Sequence, residues 1–356
     1  TSVGFSALKS NTTATSNTAM GYEALCTTQT GASNVAFGRA TLKNNTGNSN
    51  SALGHLALCT NTSGECNTAV GNGSMRCNTT ADNNTAVGIS SLFANTTGVG
   101  NTAVGKDSLI SNTTGGTNTA VGLCALQANT TADNNTAVGR GALKLNTTGA
   151  SNVGVGRNAL EANTTAGENV AIGQNALAVN TTGARNVAIG QAALDANTTA
   201  CDNTAVGKSA LGANTTGNRN TSLGSCSLKT NTTGVNNVAS GFQSMNLNTT
   251  GSRNVAYGYS SLGSNTTGNC NTAIGCGSLG GNTTASNNTA VGFDSLKANT
   301  TGTCNVAVGF CAMKVNTTGG ANVAIGDRAL RSQTSGDSNI ALGERAGCGL
   351  TTGNGN

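Results

Sequence analysis

The sequence predicts an all-β fold, a parallel β-solenoid (β-roll) of about 21 coils with a 17-residue repeat. Three observations predict it: a short motif that recurs along the whole chain, a composition poor in large side chains, and charges confined to a few positions of the motif. The chain has 356 residues, with 51 Gly, no Pro, no Trp and only nine aromatic residues. Such a composition does not build an ordinary compact core.

The repeat follows the pattern N-[TV]-A-[VIL]-G-x-x-[AS]-L-x-x-N-T-T-[GA]-x-x, whose residues we number 1 to 17. Position 5 is Gly in all 21 units, and position 9 is Leu or Met in all but one of them. All 31 charged residues fall at positions 6, 7, 10, 16 and 17. Because charged groups are rarely buried unpaired, we predict that these five positions face solvent. We predict that positions 4 and 9 line the interior.

Each unit is expected to form one coil. Positions 2 to 4 are rich in β-branched residues and favour a short strand, positions 8 to 11 are candidates for a second strand, and the Gly at position 5 allows the bend between them. Stacked coils lie about 4.8 Å apart, so residues 17 apart become neighbours. This predicts three aromatic pairs at position 6: Phe5 with Tyr22, Phe242 with Tyr259, and Phe293 with Phe310. We interpret residues 1–356 as a single continuous solenoid domain and as an excerpt of a longer fibre protein.

The segments NVAIGQNALA (169–178) and NTAVGRGALK (135–144) resemble the head repeat of YadA-like trimeric autotransporter adhesins. The full unit with its NTTG segment is similar to the tandem-repeat shafts of phage and large-virus tail fibres. The resemblance extends over essentially the whole chain and implies a left-handed roll, three chains packed side by side, and an extracellular location on a cell or virion surface. The longer unit, the NTT column and the twelve Cys depart from the adhesin pattern.

Position 12 begins the N-x-[ST] glycosylation acceptor sequence in 17 units. One interpretation is a sugar-coated edge. The other is a ladder in which each Asn amide bonds the amide of the next coil. Glycans on successive coils, about 5 Å apart, would crowd one another, which favours the ladder. The Asn residues concerned are Asn11, Asn61, Asn78, Asn95, Asn112, Asn129, Asn146, Asn163, Asn180, Asn197, Asn214, Asn231, Asn248, Asn265, Asn282, Asn299 and Asn316.

Eleven of the twelve Cys occupy positions that elsewhere carry charge. Exposed thiols are unusual outside the cell, so disulfides are one interpretation, and small free-thiol filler residues are the other. The absence of any CxxC makes a zinc site unexpected. The candidate disulfide pairs are Cys59 with Cys77, Cys270 with Cys276, and Cys304 with Cys311.

We expect a structural fibre or filament shaft that projects or coats and is not an enzyme. No nucleophile and base can be assembled around the lone His55, and no cofactor or metal is expected. The alternatives are an adhesin that binds a receptor or glycan through its surface, a sugar-coated extracellular filament and, with less support, an ice-binding array of Thr at positions 13 and 14.

The expected partner is the chain itself, as a homotrimer or filament, with a cell-surface receptor or glycan as a further partner. Positions 11 to 15 carry no charge, which a neighbouring chain would explain. No nucleic-acid partner is expected, because Lys and Arg are not clustered. No apolar run reaches the roughly 20 residues of a membrane span.

Overall fold

The computed structural model describes all 356 residues and contains 21 short strands and no helix. The chain forms two compact units, Thr1–Thr182 with strands β1 to β11 and Gly183–Asn356 with strands β12 to β21. The strands are β1 (Ser2–Val3), β2 (Thr18–Met20), β3 (Val35–Phe37), β4 (Ser51–Leu53), β5 (Thr68–Val70), β6 (Thr85–Val87), β7 (Thr102–Val104), β8 (Thr119–Val121), β9 (Thr136–Val138), β10 (Val153–Val155), β11 (Val170–Ile172), β12 (Val187–Ile189), β13 (Thr204–Val206), β14 (Thr221–Leu223), β15 (Val238–Ser240), β16 (Val255–Tyr257), β17 (Thr272–Ile274), β18 (Thr289–Val291), β19 (Val306–Val308), β20 (Val323–Ile325) and β21 (Ile340–Leu342).

Each repeat is one coil of a parallel β-solenoid, as the sequence predicts. In the first unit Thr85 pairs with Thr102, and in the second unit Thr204 pairs with Thr221, so successive coils are displaced by 17 residues. One coil is shorter: Val35 pairs with Ser51, a displacement of 16 residues. The parallel strands keep the same repeat position aligned from coil to coil within each unit.

The strands bury one side and expose the other. Ala103 at position 3 is fully buried, whereas Met20 and Leu53 at position 4 are 48% and 52% exposed. The prediction that position 4 lines the interior is therefore wrong. Side chains alternate along a strand, so once the small residue at position 3 points inward, position 4 must point outward. Position 9 is buried as predicted, with Leu109 and its equivalents fully enclosed.

Positions 6 to 11 form a chain of turns, so the predicted second strand is also absent. The cause is a left-handed backbone at positions 7 and 9, with φ of 57° at Asp107 and 50° at Leu109. The Leu109 N–H donates to the Ala125 carbonyl of the next coil, while the Asn112 N–H donates to the Leu109 carbonyl of its own coil. The backbone N–H groups thus donate partly to the next coil and partly to their own coil, and no regular strand forms.

Two physical constraints require Gly at position 5, and Gly105 shows both. Its φ is +128°, a conformation that L side chains rarely adopt, and a Cβ there would lie 2.6 Å from the Gly122 carbonyl oxygen of the next coil. The same approach recurs at Gly54, where a Cβ would lie 2.4 Å from the Gly71 oxygen. The predicted bend is therefore confirmed, and it is also a place where successive coils approach closely.

Candidate functional surfaces

The Asn column at position 12 lies inside the coils. The Asn129 Nδ2 donates to the Asn112 Oδ1 at 2.8 Å and to the Ala132 carbonyl at 3.1 Å. The Asn129 Oδ1 accepts from the Asn146 Nδ2 at 3.1 Å. Both Nδ2 protons are engaged and the residue is fully buried, so a glycan on this nitrogen would require the coil to open.

The same arrangement extends through most of the column. The structure joins amides of successive coils from Asn61 to Asn180 in the first unit and from Asn197 to Asn316 in the second. Asn11 differs: it is partly exposed and its Nδ2 donates to the Ala14 carbonyl at 3.1 Å. The predicted acceptor column is thus geometrically a ladder of buried amides.

Asn45 belongs to this ladder although its sequence does not match the acceptor pattern. Its Oδ1 accepts from the Asn61 Nδ2 at 2.6 Å, and its Nδ2 donates to the Gly47 carbonyl, only two residues onward. The 16-residue coil therefore omits one residue of the turn after position 12 and keeps its ladder contact. Placing the one-residue gap of this 16-residue unit after position 12 would have aligned Asn45 with the other Asn residues of the column.

A second ladder runs along position 1. The Asn118 backbone N–H donates to the Asn101 Oδ1 at 3.0 Å, and the Asn118 Nδ2 donates to the Ala132 carbonyl at 2.8 Å. The carbonyl of Ala132, at position 15, thus accepts hydrogen bonds from the Nδ2 atoms of both Asn118 and Asn129. Positions 1, 12 and 15 exclude charge because they are buried within their own coil, so a neighbouring chain is not needed to explain them.

The outward side of the strands, positions 2 and 4, forms what we call the strand face. Position 2 is mostly Thr or Val and half-buried, and position 4 is mostly Val, Ile or Leu. Leu223 at position 4 is 40% exposed and Ile274 41%. No charged residue occurs at either position in any coil. The strand face is therefore uncharged within each unit, and it sets a row of half-buried Thr or Val beside a row of mostly aliphatic side chains that are half-buried to exposed.

The three predicted aromatic pairs are confirmed. Ring centroids of adjacent coils lie 5.4 to 5.9 Å apart with interplanar angles of 11° to 15°. These rings are exposed, and the Arg39 guanidinium covers Tyr22 while that of Arg328 covers Phe310. The pairs are Phe5 with Tyr22, Phe242 with Tyr259, and Phe293 with Phe310.

All twelve Cys are free thiols in the structure. Cys59 and Cys77 lie on adjacent coils, both half-buried and unbonded, and burial raises the pKa of the Cys59 thiol. Strand β17 separates Cys270 from Cys276, and strand β19 separates Cys304 from Cys311. All four of these Cys are unbonded in the structure, and the two pairings stay predictions.

Charged side chains form a few ion pairs outside the strand face. Arg185 donates to Asp202 at 2.7 and 3.3 Å, and this contact lowers the pKa of Asp202. The Asp294 carboxylate is only 6% exposed and lies 3.0 Å from the Nζ atoms of both Lys297 and Lys314. Burial raises the pKa of Asp294, but the hydrogen bonds and charges of the two Lys residues outweigh it and lower the pKa overall.

His55 is exposed, and no group of three His, Cys, Asp or Glu side chains is placed to hold a metal ion. The structure contains no helix with the length and hydropathy of a membrane span. Neither a scan against protein-family models nor a search of curated proteins found a match to this chain.

Proposed function

We propose that this chain is a structural segment of a fibre or filament shaft, which projects or coats a surface and does not catalyse a reaction. The observation that carries the proposal is the strand face. It carries no charge in any coil and presents mostly aliphatic side chains at position 4 that are half-buried to exposed, although charge is common at positions 6, 7, 10, 16 and 17. Exposed apolar patches of this kind mark interaction surfaces.

The contacts between coils support a mechanical role. Each coil of a unit bonds the next through its strand and its turn, and most coils add bonds from both Asn ladders. Repeat proteins of this kind gain stability from nearest-neighbour contacts, so every added coil strengthens the stack. This arrangement suits a rigid spacer better than a reactive site.

The partner we propose is a second and third copy of the same chain. Strand faces that pack on one another would remove their apolar side chains from water without burying any charge. The number three comes from the resemblance to trimeric adhesin heads and tail-fibre shafts. That resemblance also motivates the proposed location, outside the cell on a cell or virion surface.

Sedimentation analysis of the chain tests the assembly. A homotrimer has a mass of about 104 kDa, three times the 34.7 kDa of one chain. Leu223→Asp combined with Ile274→Asp places charges on the strand face and should give the monomer. The matched control, Thr216→Asp with Thr267→Asp, places charges at exposed position 14 and should leave the trimer intact. A monomeric parent chain at micromolar concentration contradicts the proposal.

Ice adsorption is a second candidate function, favoured by one observation. Five successive coils carry Thr-Ala-Val strands, which align Thr at position 2 in register on the parallel sheet beside Val at position 4. This regular rank differs from the adjacent Thr residues at positions 13 and 14. Thermal hysteresis of the purified chain tests it: a freezing point depressed below the melting point supports ice adsorption, and coincident values dismiss it. The five residues are Thr68, Thr85, Thr102, Thr119 and Thr136.

A further inference from the structure

The aromatic column of the second unit is interrupted at one coil. Five successive coils carry Phe242, Tyr259, Cys276, Phe293 and Phe310 at position 6. Phe242 stacks on Tyr259 at 5.9 Å, and Phe293 stacks on Phe310 at 5.5 Å, between ring centroids. Cys276 therefore stands where a stack of five rings would have its central ring.

The interruption opens a groove of about 400 Å³. Tyr259 and Phe293 form its two walls, and the residues between and beside them are small, including Gly263, Gly277 and Gly280. The walls are two coils apart, which corresponds to about 9.6 Å at the usual strand spacing. Both aromatic walls are about half exposed; one face of each ring stacks on Phe242 or Phe310, which leaves the other face for a ligand.

Polar groups line the same groove. Asp294 and Lys297 lie beside Phe293, and Gln243 and Asn246 lie on the side of the other wall. The Asn246 Oδ1 is buried and accepts no hydrogen bond. Asp294 is held by two Lys residues, yet a carboxylate has about four acceptor sites and retains capacity for further donors. The groove thus combines two flat apolar walls with hydrogen-bond donors and acceptors.

We propose that this groove binds a pyranose ring of a carbohydrate, sandwiched between Tyr259 and Phe293. Carbon contacts on both faces use about 7–8 Å of the space between the walls. The remainder fits a puckered saturated ring better than a flat aromatic one. The ring's C–H faces contact the aromatic walls, and its hydroxyl groups donate to Asp294 and accept from Lys297. This binding site goes beyond the shaft function proposed above and does not depend on it.

Saturation-transfer NMR of the whole chain with methyl pyranosides of glucose, galactose, mannose and N-acetylglucosamine tests the proposal. At least one glycoside should receive saturation at its ring protons. Phe293→Ala removes one wall and should weaken that glycoside's binding about tenfold. Tyr22→Ala, which removes an exposed stacked ring in the first unit, should leave binding unchanged. The absence of transfer to all four glycosides overturns the proposal.

Cys276→Phe provides the sharpest variant, because it fills the gap instead of removing a wall. Neither Cys276 nor Phe293 has a positive φ, so the new ring should complete the stack and keep the coil folded. We expect a melting temperature no lower than that of the parent and complete loss of glycoside binding. Unchanged binding in this folded variant would show that the sugar lies elsewhere. Stronger transfer to indole than to any glycoside would overturn the assignment to carbohydrate.

Discussion

Asn129 and Asn112, which are 17 residues apart, are joined by a 2.8 Å hydrogen bond between the Asn129 Nδ2 and the Asn112 Oδ1. Both residues are fully buried, and the same Asn129 amide also donates to the Ala132 carbonyl. Each position-12 amide therefore serves its own turn and the preceding coil at the same time. A polar column of this kind stabilises the stack only while every member has its partners.

Asn129→Asp tests this dependence. A carboxylate cannot donate, so the Asn112 Oδ1 and the Ala132 carbonyl both lose a partner, and a charge is buried. Only the Asn112 Oδ1 is left unsatisfied, because the Ala132 carbonyl still accepts from Asn118. An unsatisfied buried group costs about 1–3 kcal/mol and the buried charge adds to this, so we expect local stability to fall by at least that amount. Hydrogen exchange of residues 112–146 measures it. Thr131→Asp, at exposed position 14 two residues away, is the control and should change protection little.

Leu211→Asp should destabilise its coil by several kcal/mol, because Leu211 is fully buried and the new charge has no partner. Leu223→Asp, one coil onward at position 4, should cost less than about 1 kcal/mol in the isolated chain, because the side chain is 40% exposed. Amide protection under monomeric conditions compares the two. Equal losses would mean that the inward and outward positions have been assigned incorrectly.

Acid should weaken the coil that contains Asp294. Its folded-state pKa is lowered, so the ion pairs with Lys297 and Lys314 contribute stability above the unfolded pKa of about 3.9 and lose it as pH falls through the folded value. Hydrogen exchange of residues 288–304 between pH 6 and pH 2 should show this decline. Asp294→Asn should start less stable at pH 6 and show a flatter acid limb. Parallel pH profiles in the two proteins would contradict the contribution.

The Cys59 thiol should react slowly with iodoacetamide at neutral pH. Burial raises its pKa, so the reactive thiolate is scarce until the solution becomes strongly alkaline. Peptide mapping after timed alkylation at pH 7 and at pH 10 measures the rate, with exposed Cys66 as the internal reference. Because all the thiols are free, a reductant should leave the melting temperature unchanged. A melting temperature that falls on reduction would reveal a disulfide.

Glycosylation, if the chain is produced in a glycosylating host, should avoid the position-12 column in the folded product. The Asn129 nitrogen is buried and fully bonded, whereas Asn83, Asn134 and Asn287 are exposed acceptor residues at position 17. Peptide mapping with and without a glycosidase should find sugar at the exposed residues and bare Asn129. Extensive modification of Asn129 in folded protein would mean that the amides face outward.

Strict columns in the sequence predict the coil, the Gly bend, the inward Leu and the aromatic pairs. They do not predict the orientation of position 4, because an absence of charge is equally compatible with the interior and with an apolar surface. The missing second strand had a detectable signal. Positions 7 and 9 contain no Val, Ile or Thr in any unit, as expected where φ is positive and a β-branched side chain would be strained. Leu or Met at position 9 is therefore a backbone requirement as well as a packing choice.

The groove at Cys276 was not predicted, because its components are spread over coils 17 residues apart and only one of them is unusual. A comparison of the residues at position 6 along the chain, made to find a coil that lacks an aromatic residue, would have found it. Four aromatic residues at position 6 surround a single Cys, and the two coils that follow Leu247 carry Gly at position 10. These small residues matter only once the coils are stacked.

The contact between Gly54 and Gly71 has a consequence for how such a gene changes. A side chain at Gly54 would strike the Gly71 backbone of the next coil, so we expect single substitutions at such position-5 residues to be strongly disfavoured. Duplication or loss of a whole coil, by contrast, brings matching surfaces together again, because each coil offers the next the same bonds. We expect related genes to differ in length by multiples of 17 codons. The 16-residue coil marks the one turn, just after position 12, that is one residue shorter and still keeps the ladder contact.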